Sequence, residues 1–178
     1  RQMCIRDSAH GDSEGTKIGM GWPERFDVIE WIKLIISWNS NAQIILHGVS
    51  MGAATVLMAS GEELPENVKA IIADCGYTSE WDEFKCEANA LHIPWFPVLN
   101  AASVMSRLRD GYDFKQASAL EQVKQSRIPT LFIHGSDDEL VPYSMLDKLY
   151  SAAVCKKECL TVNGAGHALS SSVERELH

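Results

Sequence analysis

Long apolar runs, clustered positive charge, paired cysteines, internal repeats and low-complexity tracts are all missing from this chain of 178 residues, and each absence narrows what it can be. Without a run of about 18 or more apolar residues, no helix within the sequence crosses a membrane. Lys and Arg number 16 against 24 Asp and Glu, a formal net charge of −8. Phosphate backbones need a clustered basic surface, so nucleic acid is set aside as a partner and small neutral or cationic substrates stay open. The five cysteines, Cys4, Cys75, Cys86, Cys155 and Cys159, form an odd set with neither zinc-ribbon spacing nor a secreted disulfide framework. Free thiols in a reducing compartment are therefore expected. Cys155 and Cys159 are close enough in sequence to share a metal, but no His or Cys pair elsewhere has matching ligand spacing. No metal and no organic cofactor is expected.

What remains is the composition of one soluble globular domain: 46% hydrophobic and 22% charged residues are too apolar for a disordered chain, and the length suits a single core. The two ends stand apart from it. Arg1-Gln2-Met3-Cys4-Ile5-Arg6-Asp7-Ser8 resembles a translation of the transposase mosaic-end adapter used to prepare sequencing libraries, and residues 1–8 are excluded from fold reasoning. Without them the formal charge is about −9. The sequence then starts at Ala9 in what reads as a loop, with no initiator Met and no preceding strand, so the expectation is a truncated reading frame. The compartment stays open between cytoplasmic and membrane-anchored bacterial, since any anchor would lie in the preceding segment.

Along the rest of the chain the periodicity alternates. From Pro23 to about Trp38, Val28, Ile29, Ile32, Ile35 and Ile36 recur at helical spacing, with Pro23 placed in a first turn. A short apolar run over Gln43–His47 precedes a small-residue helix over Ala53–Ser60 that ends near Gly61. Further strands are read over Val68–Ala73, Thr130–His134 and Cys159–Val162, with a helix over Met145–Ala153 between the last two. Strands alternating with helices predict an α/β fold with a mostly parallel, doubly wound sheet, and runs such as Ala70-Ile71-Ile72-Ala73 suit strands covered on both faces. The division is then a core over 9–79 and 128–178, interrupted by a helical insertion over 80–127, far longer than the dozen or so residues of one crossover. Within it Trp81, Phe84, Ala88 and Leu91 share one helical face, and Val98, Ala101, Met105 and Leu108 another, predicting two or more cap helices.

The chemistry gathers at three loops. Gly48-Val49-Ser50-Met51-Gly52 matches G-x-S-x-G directly after a predicted strand and before a predicted helix, the context in which a serine is thrust out on a sharp turn. Such a turn presses backbone neighbours together and asks for glycine two before and two after the serine. It also points the Met51 N–H toward the place where an acyl oxyanion would develop. A serine hydroxyl becomes a good nucleophile when an imidazole takes its proton, and the imidazole needs a carboxylate to fix its tautomer. Asp138 follows one strand in His134-Gly135-Ser136-Asp137-Asp138-Glu139-Leu140-Val141-Pro142, and His167 follows the next in Gly164-Ala165-Gly166-His167. All three loops fall at the same ends of parallel strands, where open α/β sheets place their sites.

The Ser, Asp, His order, the H-G-x-x-D-x-x-V-P segment and the G-x-G-H segment together resemble the α/β-hydrolase family, over nearly everything from Ala9 onward. The resemblance implies a partial α/β-hydrolase fold, the C-terminal part of the sheet with its helical cap insertion. It also implies nucleophile Ser50, acid Asp138, base His167 and one oxyanion donor at Met51. His10-Gly11-Asp12-Ser13-Glu14-Gly15 is similar to the family's H-G-x-S-x-G turn, usually structural. About four strands precede that turn in the family, one of whose loops supplies the second oxyanion N–H. That segment and a final helix after His178 are expected to be missing, leaving an exposed sheet edge and poor solubility. The Gly-Met-Gly-Trp helix opening and the cap around Trp81 are most similar to bacterial, often membrane-anchored, esterases and serine-peptidase-like enzymes. The implied activity is cleavage of carboxylic esters through an acyl-enzyme, with no cofactor. Its rivals are an aminopeptidase- or oligopeptidase-like activity on short peptides and a non-catalytic binding module.

Other readings of single residues stay open. Asp137 is offset by one from the His-Gly pair, and Asp74, in Asp74-Cys75-Gly76-Tyr77, ends a strand on the same sheet edge; both compete with Asp138 for the acid. His47 and His134 precede glycines and read as structural, satisfied by nearby backbone. His92 and His178 have no motif around them. Trp81, Phe84, Trp95 and Phe96 either line an acyl or aryl pocket or pack cap against core. Cys75 has no basic neighbour in sequence and reads as inert packing.

Overall fold

A computed structural model describes residue 15 and residues 17–173. The expectations for residues 1–8, for His10–Glu14, for His178 and for the C-terminal residues from 174 on lie outside the described residues. The element order is α1 (Glu24–Trp38), β1 (Ile44–Val49), α2 (Met51–Ala59), β2 (Val68–Asp74), α3 (Glu80–Ala90), α4 (Val98–Asp110), α5 (Ala119–Val123), β3 (Thr130–Gly135), α6 (Ser144–Ala152), β4 (Lys157–Val162) and α7 (Ser170–Val173). The four strands form one parallel sheet in the order β1-β2-β3-β4. This is a partial α/β-hydrolase fold.

Helices α1, α2, α5 and α6 pack in series over one face, with α2 on β1 and β2 and α6 on β3. Val28 and Ile32 of α1 turn inward, and Leu57, Met58, Ile71, Phe132 and Leu149 meet between helix layer and sheet, each almost fully buried. Each such side chain contributes roughly 1.5–3 kcal/mol of burial. The cover expected on both faces holds for the apolar runs of β2 and β3, where none of residues 70–73 and 131–133 is exposed, but it does not extend to β1. Strand β1 alternates buried and exposed, leaving Ile45, His47 and Val49 open. The second face has a smaller cluster, Ile133, Val162 and Ala165, and α7, whose Ser170 hydroxyl donates to Asp74 Oδ1 at 2.9 Å. Among the described residues the apolar runs are thus satisfied fully on one face and in part on the other.

Between β2 and β3 the chain leaves the layers and returns to the point where it left. Ser79 and Ser118 form an antiparallel bridge, Glu80 N–H donates to Ala117 O at 3.0 Å, and Leu120 N–H donates to Thr78 O at 2.9 Å. Each serine also caps the helix that follows it, accepting from Asp82 N and Glu121 N respectively. Helix α5, which falls within the stretch 80–127, packs against α2 and α6. The apolar face read along α4 is real, but it points outward: Val98, Met105 and Leu108 are more than half exposed, Ala101 is exposed, and Leu99, Ser103 and Ser106 are buried instead. Leu91 lies beyond the end of α3 and is likewise exposed.

Candidate active site

Ser50 is the single residue between β1 and α2, and it holds φ 54°, ψ −118°. A non-glycine residue there stores roughly 1–3 kcal/mol of strain, so its surroundings must over-determine it. They do so from both sides. Ser50 N–H donates to Asp74 O at 2.8 Å, tying the turn to β2, and Ser50 O accepts from Ala54 N–H at 3.0 Å, opening α2. Gly48 is required because a Cβ would run into the Gly52 carbonyl group. The matching expectation for Gly52 fails: a Cβ there meets nothing within 4 Å, because the crowding comes from its carbonyl and not from its Cα. Met51 begins α2, where the first N–H groups of a helix have no intrahelical partner and favour negative charge.

The other two loops converge on this serine. His167 Nε2 lies 2.8 Å from Ser50 Oγ, and His167 Nδ1 lies 2.9 Å from Asp138 Oδ2 and 3.1 Å from Oδ1. An ionised carboxylate only accepts hydrogen bonds, so Nδ1 carries the ring proton, and Nε2 is left to accept from the serine hydroxyl. Asp138 is rigidly held, since Oδ1 also accepts from Leu140 N–H at 3.0 Å and Val141 N–H at 2.9 Å. Burial of this carboxyl works to raise its pKa, but hydrogen bonds from His134, His167 and the Val141 N–H outweigh it and hold the pKa below the usual carboxylate value.

The loops after β3 and β4 also bind each other. Asp137 N–H donates to Ala165 O at 3.0 Å, and Gly164 N–H donates to Ser136 Oγ at 2.9 Å. Gly135 permits this approach, because a Cβ on it would strike the backbone of Ala165.

The remaining candidates separate cleanly. Asp137 is exposed and accepts from Ser136 Oγ, and Asp74 is engaged by Ser170, so neither is the carboxylate beside His167. His134 is fully buried, donates from Nε2 to Val141 O at 2.9 Å and lies 3.4 Å from Asp138 Oδ2. It thus links the end of β3 to the loop that carries Asp138 and Val141. Its Nδ1 has no hydrogen-bond partner among the described residues, and His47 is exposed on the open face, so the expectation of backbone-satisfied structural histidines holds for one nitrogen of one residue. His92 is exposed. The aromatic residues make ring contacts inside the insertion: Trp81 with Trp95 (6.3 Å), Trp95 with Phe96 (6.2 Å) and Phe84 with Phe114 (5.0 Å).

Cys75, read from the sequence as inert packing, lies closer to the serine than that reading implied. The register pairs Val49 with Asp74, so the next residues, Ser50 and Cys75, come side by side. Cys75 is fully buried at φ 48°, and burial, with the Asp74 and Asp138 charges, pushes its thiol up to about 12. Its place beside Ser50 is not legible in the sequence, because strand register is not written there.

Comparison with known proteins gives this geometry a family. The pattern of the prolyl oligopeptidase family matches residues 21–178. The uncharacterized protein YqkD of Bacillus subtilis (strain 168) is 29% identical over 171 residues, 95% of this chain and 56% of that protein. Lysophosphatidylserine lipase ABHD12 of Macaca fascicularis is 29% identical over 144 residues, 80% of this chain and 35% of the lipase. The esterase Pf2001 of Pyrococcus furiosus superposes with a TM-score of 0.70 at 22% identity, covering 96% of this chain and 63% of its own. The chain therefore spans only about half or less of the curated relatives it matches.

Proposed function

This chain belongs to the prolyl oligopeptidase family, and from that premise we propose that it carries the catalytic centre of a serine hydrolase cleaving carboxylic esters. One observation carries the reading: Ser50 Oγ, the His167 ring and the Asp138 carboxylate form an unbroken hydrogen-bond relay with steps of 2.8 and 2.9 Å. The strained φ of Ser50 presents its hydroxyl, and His167 Nε2 takes the proton as Oγ attacks the ester carbonyl. Asp138 holds the Nδ1–H tautomer and steadies the imidazolium that forms. The Met51 N–H at the start of α2 faces the developing oxyanion. His167 then returns the proton to the leaving alkoxide, and water releases the acyl group by the same steps in reverse. The cap of this hydrolase is the insertion expected over 80–127, clasped at its root by Ser79 and Ser118. Trp81, Phe84, Trp95 and Phe96 provide it with an aromatic wall for the acyl or aryl group.

The test is covalent labelling of the purified protein by a fluorophosphonate, with expected complete loss in Ser50→Ala. Labelling that survives the substitution sinks the assignment. The family name favours a second reading, hydrolysis of short peptides by the same relay, and turnover of p-nitrophenyl acyl esters against matched peptide amides separates the two. A burst of p-nitrophenol separates both from a non-catalytic binding module.

A further inference from the structure

Cys75 Sγ, a carboxylate oxygen of Asp138 and a ring nitrogen of His167 lie within 4.8 Å of one another. Thiolate, carboxylate and imidazole are the three ligand types that zinc takes from proteins. The geometry points to an inhibitory cation site: Cys75, Asp138 and His167 bind a zinc-class divalent ion that switches the hydrolase off by occupying its base. This rests on the reading of His167 as the base for Ser50.

Charge, protons and distances are each compatible with it. A divalent ion facing one thiolate and one carboxylate makes a neutral set, which suits a place where Cys75 and the Asp138 side chain are fully buried. The His167 side chain, 22% exposed, is the open side by which an ion enters. On binding, the Cys75 thiol proton goes to solvent. Nδ1, the nitrogen that faces Asp138, is the ligand, and its proton moves to Nε2. No ring lone pair is then left for the Ser50 proton. Zinc bonds of about 2.0–2.3 Å set tetrahedral ligand atoms about 3.4 Å apart. The Asp138–His167 pair, now at 2.9 Å, would open slightly, and the sulfur, within 4.8 Å, would close in by at most about 1.4 Å. Mg2+ and Ca2+ prefer all-oxygen shells and should not compete.

The experiment uses purified protein with Cys4, Cys86, Cys155 and Cys159 replaced by serine, so that Cys75 is the one remaining thiol. Zn2+ is expected to slow fluorophosphonate labelling of Ser50 at least tenfold, with Mg2+ without effect. Co2+ is expected to give a thiolate-to-metal charge-transfer band. Cys75→Ala should lose the band and, measured against its own labelling rate without Zn2+, need at least tenfold more Zn2+ for the same fractional inhibition. Cys75→Ser, which keeps the volume, serves if alanine fails to fold. Equal Zn2+ inhibition with and without the thiol, or no band in the parent protein, overturns the site. Ser50→Ala separates the two claims: it cannot label, yet it should keep the Co2+ band. A protein that never labels but shows the band refutes the hydrolase reading and leaves the cation site standing.

Discussion

Just beyond the carboxyl end of β3 the polar side chain of Asp138 is buried and bonded, whereas on α4 the apolar side chains Val98, Met105 and Leu108 are exposed and small polar ones are tucked in. Asp138 has a completely buried side chain and four hydrogen-bonding neighbours on three segments. Helix α4 buries Leu99, Ser103 and Ser106 and leaves Val104, Met105 and Leu108 outside. Buried polar groups are tolerable where partners are supplied, and they confer rigidity where each partner is itself fixed. The strand ends meet that condition, because each loop is stapled to its neighbour by backbone hydrogen bonds. In the insertion the buried serines of α4 are bonded as well, Ser103 accepting from Phe114 N–H at 3.1 Å and Ser106 donating to Tyr112 O at 2.9 Å, but these partners lie within the insertion itself, so rigidity should fall from the relay outward.

Substitution of Asp138, the acid of the proposed relay, tests the rigid side hardest. Asp138→Asn keeps the shape but favours the wrong imidazole tautomer, and ester turnover should fall by about 10⁴-fold. Asp74→Asn and Asp137→Asn should each cost less than about tenfold, because those carboxylates serve Ser170 and Ser136. A larger loss at Asp74 than at Asp138 would move the acid to β2 and dissolve the contrast. The same substitution has a stability signature. The folded pKa of Asp138 is depressed, so its contribution is present above the unfolded value near 3.9 and lost as pH falls through the lower folded value. Asp138→Asn should flatten the acid limb of the unfolding curve.

The root of the insertion is the intermediate case. Glu80 and Glu83 open α3 almost fully buried, and each has one carboxyl oxygen without a partner. Burial lifts both to about 8, with Glu24 and Asp110 adding to the effect on Glu80, and Glu87 and Asp138 to that on Glu83. A folded pKa above the unfolded 4.5 means that folding favours the protonated acid. The resulting stability is complete below 4.5 and is lost as pH climbs to about 8. Glu83→Gln keeps the neutral form at every pH. It should therefore match the parent near pH 4.5 and exceed it by on the order of 3 kcal/mol above pH 8. Urea unfolding at the two pH values measures this, and a difference that does not change with pH would show that Glu83 is ionised and paired.

How far these regions were readable follows from what each kind of signal encodes. The strands, α1, α2 and α6 were legible because their periods and bounding glycines and prolines are local. Ser50, Asp138 and His167 were legible as candidates because each sits in a short motif next to a strand end. The position of Cys75 beneath the relay depends on the register of β1 against β2, which no window of sequence contains. The exposed His47 depends on what covers the second face of the sheet. On α4, helical spacing correctly put Val98, Ala101, Met105 and Leu108 on one face, but a period says nothing about what lies opposite.

That last gap yields the smallest and sharpest prediction. If the α4 stripe is free surface, Met105→Glu and Leu108→Glu each exchange an exposed apolar side chain for an exposed charged one, at helix positions that tolerate glutamate. Each should change unfolding free energy by no more than about 0.5 kcal/mol. Leu57→Ala in α2, at 1% exposure, should cost about 2–5 kcal/mol by transfer and cavity terms. Chemical unfolding of the three variants side by side gives the comparison on one scale. A cost of several kcal/mol at Leu108 would mean that the stripe is covered, and α4 would then belong with the strand ends, on the rigid side of the molecule.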